Sequence, residues 1–113
     1  MKKPIDCASQ KGIRYRVNQK DKILFLSLED VSHMVCDSYL TTIYLIDGRN
    51  VSVTKLLKKF EEELKDFGFV RANRNVLVNL IHVDCIHIGK GERKLFVNGV
   101  SINISRRNLY KFK

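Results

Sequence analysis

The stretch FVRANRNVLVNL, Phe69 to Leu80, joins two kinds of sequence that rarely share one element. Val76, Val78 and Leu80 alternate with Leu77, Asn79 and Ile81, so both faces are largely apolar, the pattern of a strand buried on two sides. Arg71, Asn73, Arg74 and Asn75 lie directly ahead of it and do not suit such a strand. Two cations and two amides thus stand at the mouth of a hydrophobic strand, where a rigid sheet can aim them outward.

Upstream lies the one clear helical pattern, TKLLKKFEEELKDFG, residues 54–68. Leu56, Leu57, Phe60, Leu64 and Phe67 recur at helical spacing, with Thr54 expected as N-cap and Gly68 as C-terminal stop. Acids and bases alternate around its polar side, so it is expected to pack on a sheet rather than read DNA. Elsewhere the chain is strand-like: IRYRV, KILFLSL, a segment between Glu29 and Ser38, YLTTIYLI, VSV, HVDCIHI, RKLFV and VSINI. Asp47-Gly48 and Asn98-Gly99 are hairpin signals. The closing SRRNLYKFK predicts a short helix capped by Ser105, with Arg106 and Arg107 in a first turn that favours anions. The fold class expected is mostly β, with eight to ten short strands, one amphipathic helix and a short C-terminal helix.

A chain of 113 residues fits one domain with a single core. No apolar run nears the roughly 18 residues of a membrane span, and no secretory signal pattern opens the sequence. Cys7, Cys36 and Cys85 are odd in number, widely spaced and without a CxxC, which suits a reducing, cytoplasmic setting. The net charge of +9 is uneven: residues 1–20 carry a local +5 and residues 67–113 a local +7, while 21–53 are acidic. Such a field concentrates polyanions, although solubility alone would also account for it.

Catalytic patterns are missing: there is no phosphate-cradling glycine loop, no GxSxG and no HExxH. His82 and Cys85 are three apart, on opposite faces of a strand, and Cys85 with His87 gives only two ligands, so no metal or other cofactor is expected. Arg71, Arg74, Arg106 and Arg107, with Asn73, Asn75 and Asn108, are residue types that pair with guanine and adenine edges. Lys90, Arg93, Lys94, Lys111 and Lys113 can neutralise phosphates around them. An RNA-binding β-barrel would need exposed aromatics. Phe25, Tyr44, Phe60, Phe67, Phe69 and Phe96 sit in core-like patterns, leaving Tyr15, Tyr39 and Tyr110 for stacking. An adaptor for an acidic protein is the third reading.

FGFVRANRNVLVNLIHVDCI and LFVNGVSINISRRNLYKF resemble the LytTR family of bacterial DNA-binding domains, and the resemblance runs from about Ile13 to the C-terminus. The family pattern F-x-R-x-H-R-S-x-x-V-N is matched by Phe69, Arg71, Arg74, Val78 and Asn79, and its Ser-Arg-Arg ending by Ser105, Arg106 and Arg107. The usual His-Arg-Ser reads Asn73-Arg74-Asn75 here, and Asp37 stands beside the first contact loop. The resemblance implies a compact LytTR-like fold of small packed antiparallel sheets. Its loops would enter DNA grooves, with two copies on paired direct repeats of double-stranded DNA, bending it. Carried over, the contact residues are Ser38 and Tyr39; Arg71, Asn73, Arg74 and Asn75; and Arg106, Arg107, Asn108 and Lys111. A receiver or membrane sensor usually joined to such a domain is not evident. Residues 1–12 are accordingly expected as a tail or linker remnant, of an excised domain or of a short regulator, with 13–113 as the DNA-binding domain.

Overall fold

Period-two alternation and well-placed turn residues produce ten strands among residues 10–113, the part of the chain described by the computed structural model. They are β1 (Arg14–Asn18), β2 (Ile23–Ser27), β3 (Val31–Asp37), β4 (Leu40–Leu45) and β5 (Asn50–Val53), followed by β6 (Phe69–Asn73), β7 (Val76–Asn79), β8 (Val83–Gly89), β9 (Glu92–Val97) and β10 (Val100–Asn103). β1 and β2 form a hairpin, β5-β4-β3-β7-β6 a five-stranded sheet and β10-β9-β8 a three-stranded sheet, every pair antiparallel. The fold is mostly β, as the alternation implies. Asn98 and Gly99 both take positive φ (48° and 79°), as their hairpin signal requires.

The helix is shorter than its apolar stripe suggests. α1 spans Leu57–Leu64, then tightens into a 3₁₀ turn over Lys65–Phe67 before Gly68 ends it at φ 86°. Leu56, not Thr54, occupies the N-cap position, because residues 54–56 are still leaving the sheet. Leu57, Phe60 and Leu64 are buried, each contributing roughly 1.5–3 kcal/mol. The β1–β2 hairpin is pinned to the helix by a polar cluster. The Lys55 ammonium lies 2.7 Å from Glu63 and 4.6 Å above the Phe60 ring, and the Tyr15 hydroxyl donates to Glu63. Partial burial pushes the Glu63 carboxyl up, but Lys55 and Tyr15 outweigh it and hold it below the usual carboxylate range.

The stretch 69–80 is buried on both faces because two cores meet there. Phe69 and Leu77 point into a cluster with Met34, Ile43, Phe60 and Leu64. Ala72 and Val78 point the other way, into Leu95, Val97, Ile102 and Ile104 of the three-stranded sheet and its C-terminal extension. Asn79, on the Leu77 side, is fully buried, and its amide donates to the carbonyls of Leu28 (3.2 Å) and Val31 (2.8 Å). It also exchanges hydrogen bonds with Gln10 at 2.8 and 3.1 Å. Gln10, expected in the tail, is therefore a buried part of the domain; residues 1–9 of that expected tail lie outside the described residues. Phe25, expected in the core, is 54% exposed with the Arg14 guanidinium 5.3 Å from its ring centre, while Tyr15 is half-buried against Phe60. The reason is register: β2 turns Leu24 and Leu26 inward, so Phe25 faces out.

Candidate nucleic-acid interface

Antiparallel pairing sets which turns gather at one end of the sheet. β3 ends beside the start of β7, with Val35 opposite Val76, and the Cys36 N–H donates to the Asn75 carbonyl at 2.8 Å. The β3–β4 turn, Ser38-Tyr39, therefore projects next to the β6–β7 turn, Arg74-Asn75. Ser38 takes left-handed backbone (φ 57°) and Tyr39 is 79% exposed.

The C-terminal segment is clipped to the same end. The Ser105 N–H donates to the Ala72 carbonyl (3.0 Å) and the Asn73 amide to the Asn103 carbonyl (2.6 Å). From Ser105 the chain enters the expected short C-terminal helix, which is a 3₁₀ helix over Arg106–Phe112. Ser105 occupies the N-cap position but makes no side-chain cap bond; its hydroxyl instead accepts from the Asn108 amide at 2.7 Å. Leu109 and Phe112 pack this segment onto the second core.

Ser38 and Tyr39 are exposed at the β3–β4 turn, and the other eight residues expected at the interface divide by exposure. Arg74, Asn75, Arg106 and Arg107 are exposed, and among the described residues neither Arg74 nor either of the paired arginines makes an ion pair. Arg74 and Arg107 line one groove, together with Arg71, Ser105 and Lys111. Arg74 also lines a second groove, formed with Gly91, Glu92, Arg93 and Lys94 of the β8–β9 hairpin. It thus borders two clefts in which cations outnumber acids.

Arg71, Asn73 and Asn108 face inward. Arg71 donates to Glu61 from Nε (3.2 Å) and Nη2 (3.0 Å), and to the Arg74 carbonyl from Nη1 (2.7 Å). Asn73 accepts from the Asn75 N–H at 2.8 Å, closing the turn, while its amide is bonded to Asn103. Asn108 is only 7% exposed and bonded to Ser105. These three side chains spend their hydrogen-bonding capacity on shaping the turns. Lys111 is half-buried, its ammonium 3.7 Å from Glu61.

Glu61 is one of the acids that the sequence sets on the polar side of the helix, with no role expected of it. Its spacing could have marked it: it lies four residues after Leu57 and three before Leu64, at the border of the apolar stripe. No three His, Cys, Asp or Glu side chains among the described residues are grouped to hold a metal ion. His82, half of the HxxC spacing, hydrogen-bonds the Glu29 carbonyl at 2.5 Å. No helix among the described residues is long and apolar enough to cross a membrane.

Fold and site together define a class: a small domain of packed antiparallel sheets that presents arginine-bearing turns at one end. Residues 21–113 match the LytTr DNA-binding domain family, and the chain belongs to that family. Among solved structures it is similar to the LytTr DNA-binding domain of a Bacillus cereus protein described as a methyl-accepting/DNA response regulator. That match has a TM-score of 0.73 at 19% identity, over 88% of this chain and 92% of the other. No curated protein matches the chain.

Proposed function

We propose that this domain is the output module of a bacterial transcriptional regulator and binds double-stranded DNA sequence-specifically, without catalysis, by setting turns into the grooves. The observation that carries the proposal is that Arg74 and Arg107 line the same groove, with neither guanidinium held in an ion pair among the described residues. Arg74 with Asn75, and Arg107 with Arg106, reach base edges; Ser38 and Tyr39 supply the neighbouring contact. Arg71, Asn73 and Asn108 position those turns, and Lys90, Arg93, Lys94 and Lys111 meet phosphates. Two copies on paired direct repeats, joined to a receiver or sensor, complete the reading and rest on the family resemblance.

Selection from a random duplex library, followed by titration of the winning site, tests this. A discrete site should emerge, out-competing single-stranded RNA of matched length. Its affinity should fall by about a thousandfold or more between 50 and 200 mM salt, as several phosphate contacts require. Enrichment of no duplex, or preference for the RNA, overturns the reading.

A further inference from the structure

We infer that Glu61 is a positioning residue that sets the sequence discrimination of this interface; the inference rests on the duplex-binding reading above. A carboxylate is an unexpected member of this groove. It shares the walls with Arg71, Arg74, Arg107 and Lys111, and it repels every phosphate that approaches. On affinity alone the groove would be better without it.

Its contacts explain its presence. Arg71 converges on Glu61 Oε1 through Nε (3.2 Å) and Nη2 (3.0 Å), leaving Nη1 to grip the Arg74 carbonyl at 2.7 Å. The other carboxylate oxygen lies 3.7 Å from the Lys111 ammonium, four residues beyond Arg107 in the C-terminal segment. One carboxylate on α1 therefore fixes the turn that carries Arg74 and the segment that carries Arg107. The participants are sheltered, with side-chain exposures of 16% for Arg71, 31% for Glu61 and 26% for Lys111, so solvent weakens these pairs less than it would on an open surface. A base edge must be met at a fixed angle, whereas a phosphate accepts a cation from many directions. Releasing the clamp costs the first kind of contact and spares the second.

The effects of removing the charge thus differ in sign between specific and non-specific DNA. Glu61→Gln keeps the shape of the side chain. It should weaken binding of the full chain to its library-selected duplex about five- to tenfold, within the range for one compromised base contact. Binding to poly(dI-dC) of the same length should tighten about two- to threefold, as the loss of one nearby negative charge predicts. Glu62→Gln, at an exposed neighbour on the same helix, makes the identical charge change outside the network and should tighten both probes slightly. In an Arg74→Ala background the specific loss from Glu61→Gln should shrink, since clamp and clamped turn act as a unit. Far-UV circular dichroism and the urea midpoint confirm that each variant is folded. If Glu61→Gln behaves as Glu62→Gln does, or if its specific loss is undiminished beside Arg74→Ala, the clamp is overturned and the duplex reading stands. If the unmodified chain itself fails to separate the selected duplex from poly(dI-dC), the duplex reading falls and the clamp with it.

Discussion

Leu77 and Val78 are neighbours in one four-residue strand, yet they belong to different bodies of the molecule. Leu77 faces α1 and the inner side of the five-stranded sheet; Val78 faces the three-stranded sheet and the C-terminal segment. The first face is closed by a helix whose residues are near in sequence. The second is closed by residues spread from 83 to 112, which the β8–β9 and β9–β10 hairpins fold back onto it. The contrast shows how a short strand can hold two cores together, and how the turn at its mouth is held from two sides. Arg74 is braced from the first side by Arg71 and Glu61, and from the second by Asn73 bonded to Asn103.

The sharpest way to break this comparison is Leu77→Ala. The residue is fully buried, so truncation should cost about 2–5 kcal/mol. Urea unfolding followed by far-UV circular dichroism should remain one transition if both cores depend on β7; two separated transitions would show that they are independent units. A smaller effect belongs to the second side. Arg107→Ala removes an exposed group and should leave the urea midpoint unchanged, while costing about 1–3 kcal/mol of binding on the selected duplex and relaxing discrimination there. Unchanged specific binding in a gel-shift titration would remove Arg107 from the interface.

The smallest expected effect tests the strand beside β7. His33 is 4% exposed, stacked on Tyr44 with centroids 4.8 Å apart, and its Nδ1 is 2.7 Å from the Ser32 hydroxyl. Burial pushes its pKa down, so the unfolded chain takes up this proton first as pH falls. Stability from the neutral imidazole is complete above about pH 6.5 and is lost as pH drops through that value toward the depressed folded one. The urea midpoint of the unmodified chain should decline between pH 7.5 and 5.5, and His33→Gln should flatten that decline. Equal slopes would sink the assignment.

Local pattern carried much of this structure. The strands follow from alternation, the helix from its stripe, the hairpins from Asn98-Gly99 and its like, and the outward Arg74 and Arg107 from their position at strand ends. What stayed hidden depends on partners far along the chain. Nothing local shows that Arg71 turns inward while Arg74, three residues on, turns out; the difference is made by Glu61 on the helix packed above β6. Asn79 belongs to the same family motif as Arg71 and Arg74, yet its work is to bond Gln10, Leu28 and Val31, more than forty positions away. Phe25 reads as core because residues 23–26 of KILFLSL are an unbroken apolar run, and only the strand's register decides which side is wet.

Gln10 has a mechanical consequence. Its carboxamide is interlocked with Asn79 at the far end of β7 from the Arg74 turn, and also grips the Phe67 carbonyl at 2.5 Å. A pull applied at residue 10 is thus carried through Asn79 into β7, in the middle of the scaffold. The strand that bears the load is the one whose opposite end carries Arg74.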